Sequence, residues 1–188
     1  MTAKFKNIIP GKKMTKEWRI KIIGGGKPMG GATSSKTEKW QRMCLEKITG
    51  EDCKKTNLRL NLETHELKKV SRPSNEPDEF EWTEDFDGEF FVGKMRYLVN
   101  FKMIVGTGGA QTRSMREVYH FIKCQESYLK SSGDKHTKFL NILDGDSVGA
   151  KMTSMRKACS KTGSKKIFIG DTHEIKKIWK FDTNVTFC

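Results

Sequence analysis

No run of apolar residues in this chain approaches the roughly 18 needed to cross a bilayer. The opening segment, MTAKFKNIIPGKKM, has no apolar stretch of the kind a secretory leader carries. Neither a membrane span nor a leader is expected. Paired cysteine motifs are missing too: Cys44, Cys53, Cys124, Cys159 and Cys188 are odd in number and widely spread, with no CxxC and no histidine at metal-ligand spacing. They read as reduced thiols, which places the chain in the cytoplasm, or in the nucleus of a eukaryotic host. A phosphate loop is also absent, because the lysine of GGGKPMGG is not followed by Ser or Thr and the GxxxxGK[ST] spacing is not met. No internal repeat or low-complexity tract stands out.

Acid is in short supply. Lys and Arg number 36 against 23 Asp and Glu, a formal charge of +13 on 188 residues. A field of that sign attracts polyanions, and the partner that best explains it is nucleic acid. An anionic membrane is the weaker candidate, since no basic amphipathic helix with an aromatic face is present. The length suits one domain with a core that needs neither disulfide nor metal. A basic, Gly-rich arm over 1–34, a core over 35–144 and a sheet extension over 145–188 divide it, and a homodimer is compatible with this size.

Periodicity supplies the elements. WRIKII is expected as a strand, followed by a glycine loop. Ser34 or Ser35 caps a helix, with Glu38 completing a capping box, Trp40, Met43, Cys44 and Ile48 as its apolar stripe, and Gly50 at its end. Leu58, Leu60 and Leu62 alternate with polar residues as a half-buried strand, expected to pair with a hairpin further on. VSRPSNEPDEFEW is an acidic loop. Thr112 or Ser114 caps a second helix with Met115, Val118, Ile122 and Leu129 on one face, and Gly133 stops it. KFLNILDGD is a strand and turn, VGAKMTSMRKACSK a basic helix, KIFIG a strand, and DTHEIKKIWKF a helix capped by Asp171 or Thr172. The fold class is α/β, a mixed central sheet flanked by helices.

The chain is organised around residues 81–125. Asp87 and Gly88 make a turn before the short strand of Phe90, Phe91 and Val92, and Gly93 reverses the chain. RYLVNFKMIV is apolar almost throughout, as suits a strand buried on both faces. Asn100 and Lys102 interrupt it and point the same way, because side chains alternate along a strand. A lysine there requires an acidic neighbour. The loop GTGGAQTR reads as a phosphate cradle at a helix N-terminus, with Gln111, Arg113 and Arg116 as DNA contacts. On spacing alone, a structural ion pair in a turn and a solvated basic helix face account for the same residues.

This arrangement resembles the PD-(D/E)xK nuclease superfamily, known from restriction endonucleases, which places an aspartate on one strand and an acid-x-lysine triplet on the next. Asp87 matches the first position and Lys102 the last; Asn100 departs from the acid between them. Some members recover that acid from the following helix, a role the resemblance gives to Glu117. If the helix turns Glu117 away, Glu38 or Glu46 on the first helix remain. The resemblance implies an αβββαβ core and a restriction-like endonuclease whose partner is double-stranded DNA. Its Mg²⁺ or Mn²⁺ would be held by Asp87 and Glu117, with Asn100 as a neutral carbonyl ligand and Lys102 beside the reacting phosphate. A junction- or flap-specific nuclease and a non-catalytic nucleic-acid-binding module are the alternatives.

Overall fold

The computed structural model describes residues 9–23, 31–69, 83–160 and 163–179, with backbone only for 31–34 and 164. The acidic loop of 70–82, the glycine loop after Ile23 and Cys188 lie outside the described residues. In chain order the helices and strands are α1 (Lys16–Ile23), α2 (Gly31–Thr49), β1 (Leu58–Asn61), β2 (Leu67–Lys69), β3 (Thr83–Asp85), β4 (Gly88–Val92), β5 (Met95–Met103), α3 (Gly109–Ser131), β6 (Thr137–Asp144), α4 (Asp146–Gly149), α5 (Met152–Arg156), β7 (Ile167–Gly170) and α6 (Thr172–Trp179).

The fold is mixed α/β. Four strands form a sheet in the order β4-β5-β6-β7, with β4 antiparallel to β5 and the other neighbours parallel. A second, three-stranded antiparallel sheet has the order β2-β1-β3. The chain crosses between the sheets at Phe86 and Asp87: Phe86 N–H still donates to Leu58 O, and Asp87 N–H already donates to Val99 O. The β4–β5 hairpin closes through Gly93 and Lys94, and Gly93 has φ +57°, a conformation that favours glycine.

Alternation along β5 and β6 sends their apolar residues to two cores. Leu98, Ile104, Phe139 and Leu143 pack with Val118, Phe121 and Ile122 of α3. Tyr97, Val99, Phe101, Leu140 and Ile142 pack on the opposite face with Leu45 of α2 and Ile175 of α6. Leu60 joins the α3 side, which fastens the smaller sheet there.

Five local expectations are corrected. The strand of Leu58 and Leu60 pairs with β2 and β3 in the smaller sheet and not with the β4–β5 hairpin, because the chain leaves that sheet at Phe86, before the hairpin begins. Helix α2 begins at Gly31, ahead of the cap expected at Ser34 or Ser35. WRIKII lies in helix α1, not a strand: Thr15 Oγ1 accepts the Trp18 N–H at 3.3 Å and Glu17 sits in the first turn, so capping outweighs the β-branched content. Helix α3 begins in the glycines, with Gly108 at its N-cap and no side-chain cap, rather than at Thr112 or Ser114. The basic stretch after Asp146 forms two short helices instead of one. The last helix has the expected cap, and it is reciprocal: Glu174 N–H donates to Asp171 Oδ1 at 2.8 Å and Asp171 N–H to Glu174 Oε2 at 3.0 Å.

One buried carboxylate ties these layers. Asp144, at the end of β6, is fully buried and accepts hydrogen bonds from Gln41 Nε2 of α2 (2.7 Å), Thr172 Oγ1 (2.7 Å) and Thr172 N–H (3.0 Å) at the start of α6. Burial pushes its carboxyl up to about 6, opposed by those donors. Removing it strands several buried donors, each worth roughly 1–3 kcal/mol. Asp144→Ala is expected to lower stability by about 2–4 kcal/mol in urea unfolding; a change within about 0.5 kcal/mol contradicts this role.

Candidate active site

Asp87 lies where β4 stops two residues short of the position opposite Phe101. Its Oδ2 takes the place of a missing main-chain carbonyl and accepts the Phe101 N–H at 2.6 Å. This fixes the carboxylate beside Asn100 and Lys102. The Lys102 side chain is about a third exposed, with Nζ 3.7 Å from Glu84 Oε1 of β3. The acidic neighbour that a lysine in this strand requires is thus present.

Helix α2 closes on Asp87 from the other face of the sheet. Arg42 Nη2 donates to the Asp87 main-chain oxygen and to Glu38 Oε1, the latter at 2.6 Å, and Arg42 Nη1 donates to Cys53 O at 3.0 Å. The guanidinium carbon lies 5.8 Å from the centre of the Phe101 ring. One turn of the same helix carries Gln41, whose Nε2 also reaches Lys102 O at 3.3 Å. Glu38, Gln41 and Arg42 therefore hold the strand end that carries Lys102.

The electrostatics follow. Burial raises the Asp87 carboxyl to about 6. The Phe101 N–H and the Lys102 ammonium pull it down, Glu38 pushes it up and Arg42 opposes that. Asp87 is thus partly buried within the fields of Lys102, Glu38 and Arg42, and Glu38 is itself ion-paired with Arg42.

The other sequence candidates are placed as follows. Asn100 is buried and donates to Asn141 Oδ1 at 3.2 Å, while Gln125 Nε2 donates to the same oxygen at 3.1 Å and receives Asn141 Nδ2 on its Oε1 at 2.8 Å. Asn100 thus belongs to a chain of buried amides under the site. Glu117, Arg113 and Arg116 are exposed in the first turns of α3, and no ion pair among the described residues involves them. Gln111 folds back so that its Nε2 donates to Val105 O at 3.4 Å. Asp85 is engaged with Arg59 across β1 and β3, so the structural reading holds for it. Sequence reasoning missed Arg42, Gln41 and Asn141. A usable signal was the polar trio of Glu38, Gln41 and Arg42 set among the apolar residues of α2.

Among the described residues no group of three or more His, Cys, Asp or Glu side chains is placed to hold a metal, and no helix is long and apolar enough to cross a membrane. Mg²⁺ keeps several waters and is commonly held by one or two carboxylates plus substrate phosphate; the pair that could serve is Asp87 and Glu38, with Asp87 Oδ2 on the Phe101 N–H and Glu38 Oε1 on Arg42 Nη2. Compared with protein-family models, curated proteins and solved structures, the chain matches none.

The raised Asp87 carboxyl has a stability consequence. The fold holds this proton more tightly than the unfolded chain, whose aspartates titrate near 4. Its contribution is therefore present below about pH 4 and lost as pH rises through about 6. Asp87→Asn keeps an acceptor for Phe101 and removes the loss. With chelator present, its stability advantage over wild type is expected to grow between pH 4.5 and 7.5, toward roughly 2–3 kcal/mol. An advantage that does not change with pH contradicts the assignment.

Proposed function

We propose that the protein is a metal-dependent DNA endonuclease with the PD-(D/E)xK arrangement, most simply a restriction-like site-specific enzyme. The observation that carries this is the convergence on Asp87 of Lys102 from β5 and the Glu38–Arg42 pair from α2. The element order supports it. A helix, a hairpin with the aspartate at its start and the lysine on its second strand, a helix and a parallel strand follow one another as α2, β4, β5, α3 and β6. The strands before the hairpin differ from a simple αβββαβ core by forming their own sheet with β3. The charge of +13 supports DNA as the partner.

The residues divide the work. Asp87 and Glu38 would hold a Mg²⁺ or Mn²⁺ ion, which when bound polarises the phosphoryl group and lowers the pKa of a water. Lys102 sets a positive charge beside the phosphate, where partial burial strengthens it. Arg42 locks Glu38 to the Asp87 main chain, and Gln41 holds the backbone at Lys102. The exposed Arg113 and Arg116, with Gln111 beside them, are available to DNA at the start of α3. Glu117 serves as the alternative second carboxylate, and Glu38 is preferred because it already acts on Asp87.

A non-catalytic nucleic-acid-binding module is the second reading, favoured by the commitment of Asn100 to Asn141 at the position where the superfamily carries an acid. Plasmid DNA with Mg²⁺ separates the two. Wild type is expected to give discrete bands. Asp87→Ala and Lys102→Ala are expected to cut at least about 100-fold more slowly, with DNA affinity within a few-fold. Intact plasmid with a gel shift supports the module. Near-normal turnover in either variant overturns this site.

A further inference from the structure

The carboxyl ends of β6 and β7 carry a second feature, a cleft of about 500 Å³ lined by Ile9, Gly11, Lys12, Met14, Trp18 and His173, with Lys13, Lys177 and Asp171 completing its wall. Main-chain bonds build it. Gly145 N–H donates to Gly11 O at 3.0 Å, Asp146 N–H to Met14 O at 2.9 Å, and Lys12 N–H to Asp171 Oδ2 at 2.9 Å, so residues 11–14 lie as a strap across the strand ends. Two glycines permit the close packing. A Cβ on Gly11 would overlap the His173 ring, and one on Gly149 would fall 2.5 Å from Lys12 O.

The lining combines an aromatic plane with cations. Trp18 is 48% exposed, a large value for a tryptophan, and Lys21 Nζ lies 5.5 Å from the centre of its ring. His173 and Lys177 share a face of α6, one turn apart, and Lys12 and Lys13 are exposed on the strap. The one carboxylate in the lining is already engaged: Asp171 accepts Lys12 N–H on one oxygen and Glu174 N–H on the other. Among the described residues, Lys13, Lys21 and Lys177 have no carboxylate partner, whereas Lys12 lies 3.6 Å from Glu174. The cleft is at the same end of the sheet as Lys102, and Gln41 joins the two places through Lys102 O and Asp144. In open α/β sheets this is the edge where ligands bind.

We propose that this cleft binds an unstacked nucleotide within a nucleic-acid strand, with the base on Trp18 and the flanking phosphates on Lys13, Lys177 and Lys21. A tryptophan face tolerates any base and lysines track the backbone, so the cleft holds a strand without reading its sequence. The proposal rests on the DNA reading for the partner's charge and deepens it by giving the protein a place for single-stranded nucleic acid beside the duplex.

The test measures anisotropy of a short fluorescent oligothymidylate with chelator present, so that cutting plays no part. Wild type and Trp18→Phe are expected to bind within about threefold of one another, and Trp18→Ala at least about tenfold more weakly. Lys13→Glu with Lys177→Glu is expected to weaken binding and to flatten its salt dependence. Because the chelator removes cutting from the measurement, failure of the nuclease reading leaves this result standing. Equal affinity for wild type and Trp18→Ala overturns the proposal, as does no binding by wild type. Displacement by thymidine monophosphate at the oligonucleotide's own concentration overturns the strand and leaves a free-nucleotide site.

Discussion

A carboxylate at Asp87 cannot be both desolvated and isolated, and much of the site's construction answers that constraint. β4 starts two residues past the position facing Phe101, so the Phe101 N–H takes Asp87 Oδ2 as its acceptor. The hydrogen bond fixes the carboxylate, and burial then raises its pKa. Charge has to be brought to it from both faces of the sheet. Lys102 arrives by strand alternation, and Arg42 arrives because α2 packs across the opposite face. Glu38 comes with Arg42 and returns a negative charge to the same place. Glu38 is itself held by Arg42, one helical turn away.

A second buried carboxylate, Asp144, repeats the theme one strand over. It is held by hydrogen-bond donors rather than by cations, and it joins α2, β6 and α6. Gln41 binds both Asp144 and the Lys102 main chain, so the helix that presents Glu38 and Arg42 is positioned by the sheet at two points. The buried chain of Asn100, Asn141 and Gln125 does the same beneath Lys102. Satisfied polar networks of this kind fix one arrangement of side chains. The cleft at Trp18 lies along the same edge, on the far side of Asp144 from Lys102. The proposed catalytic site and the proposed strand cleft would thus both lie along the carboxyl ends of three parallel strands.

Much of the fold was legible in the sequence where the signal is local. The apolar run of β5, the Gly93 reversal, the stripe of α3 and the Asp171 cap of α6 all depend on residues a few positions apart. So did the need for an acid near Lys102, which follows from placing a lysine in a buried strand. What was not legible is long-range. Gln41 meets Lys102 61 residues away and Asp144 103 residues away. No periodicity in α2 says which strand it will face. Glu38 read as a capping-box residue and as a fallback second acid; α2 starts at Gly31, ahead of that box, and Glu38 pairs with Arg42 instead. The strand expected at WRIKII failed for the opposite reason: a single capping threonine, Thr15, outweighs three isoleucines.

The central claim is that Asp87 and Glu38 together hold a divalent cation, and that Lys102 completes the site. Calorimetric titration of Mn²⁺ at neutral pH into wild type, Glu38→Gln and Glu117→Gln tests it most directly. Outer partners of metal ligands commonly cost 10–100-fold in affinity when removed, so losing a charged ligand should cost at least that lower figure. The account predicts that Glu38→Gln binds Mn²⁺ roughly tenfold or more weakly while Glu117→Gln matches wild type. Loss confined to Glu117→Gln, or one affinity across all three proteins, would contradict it.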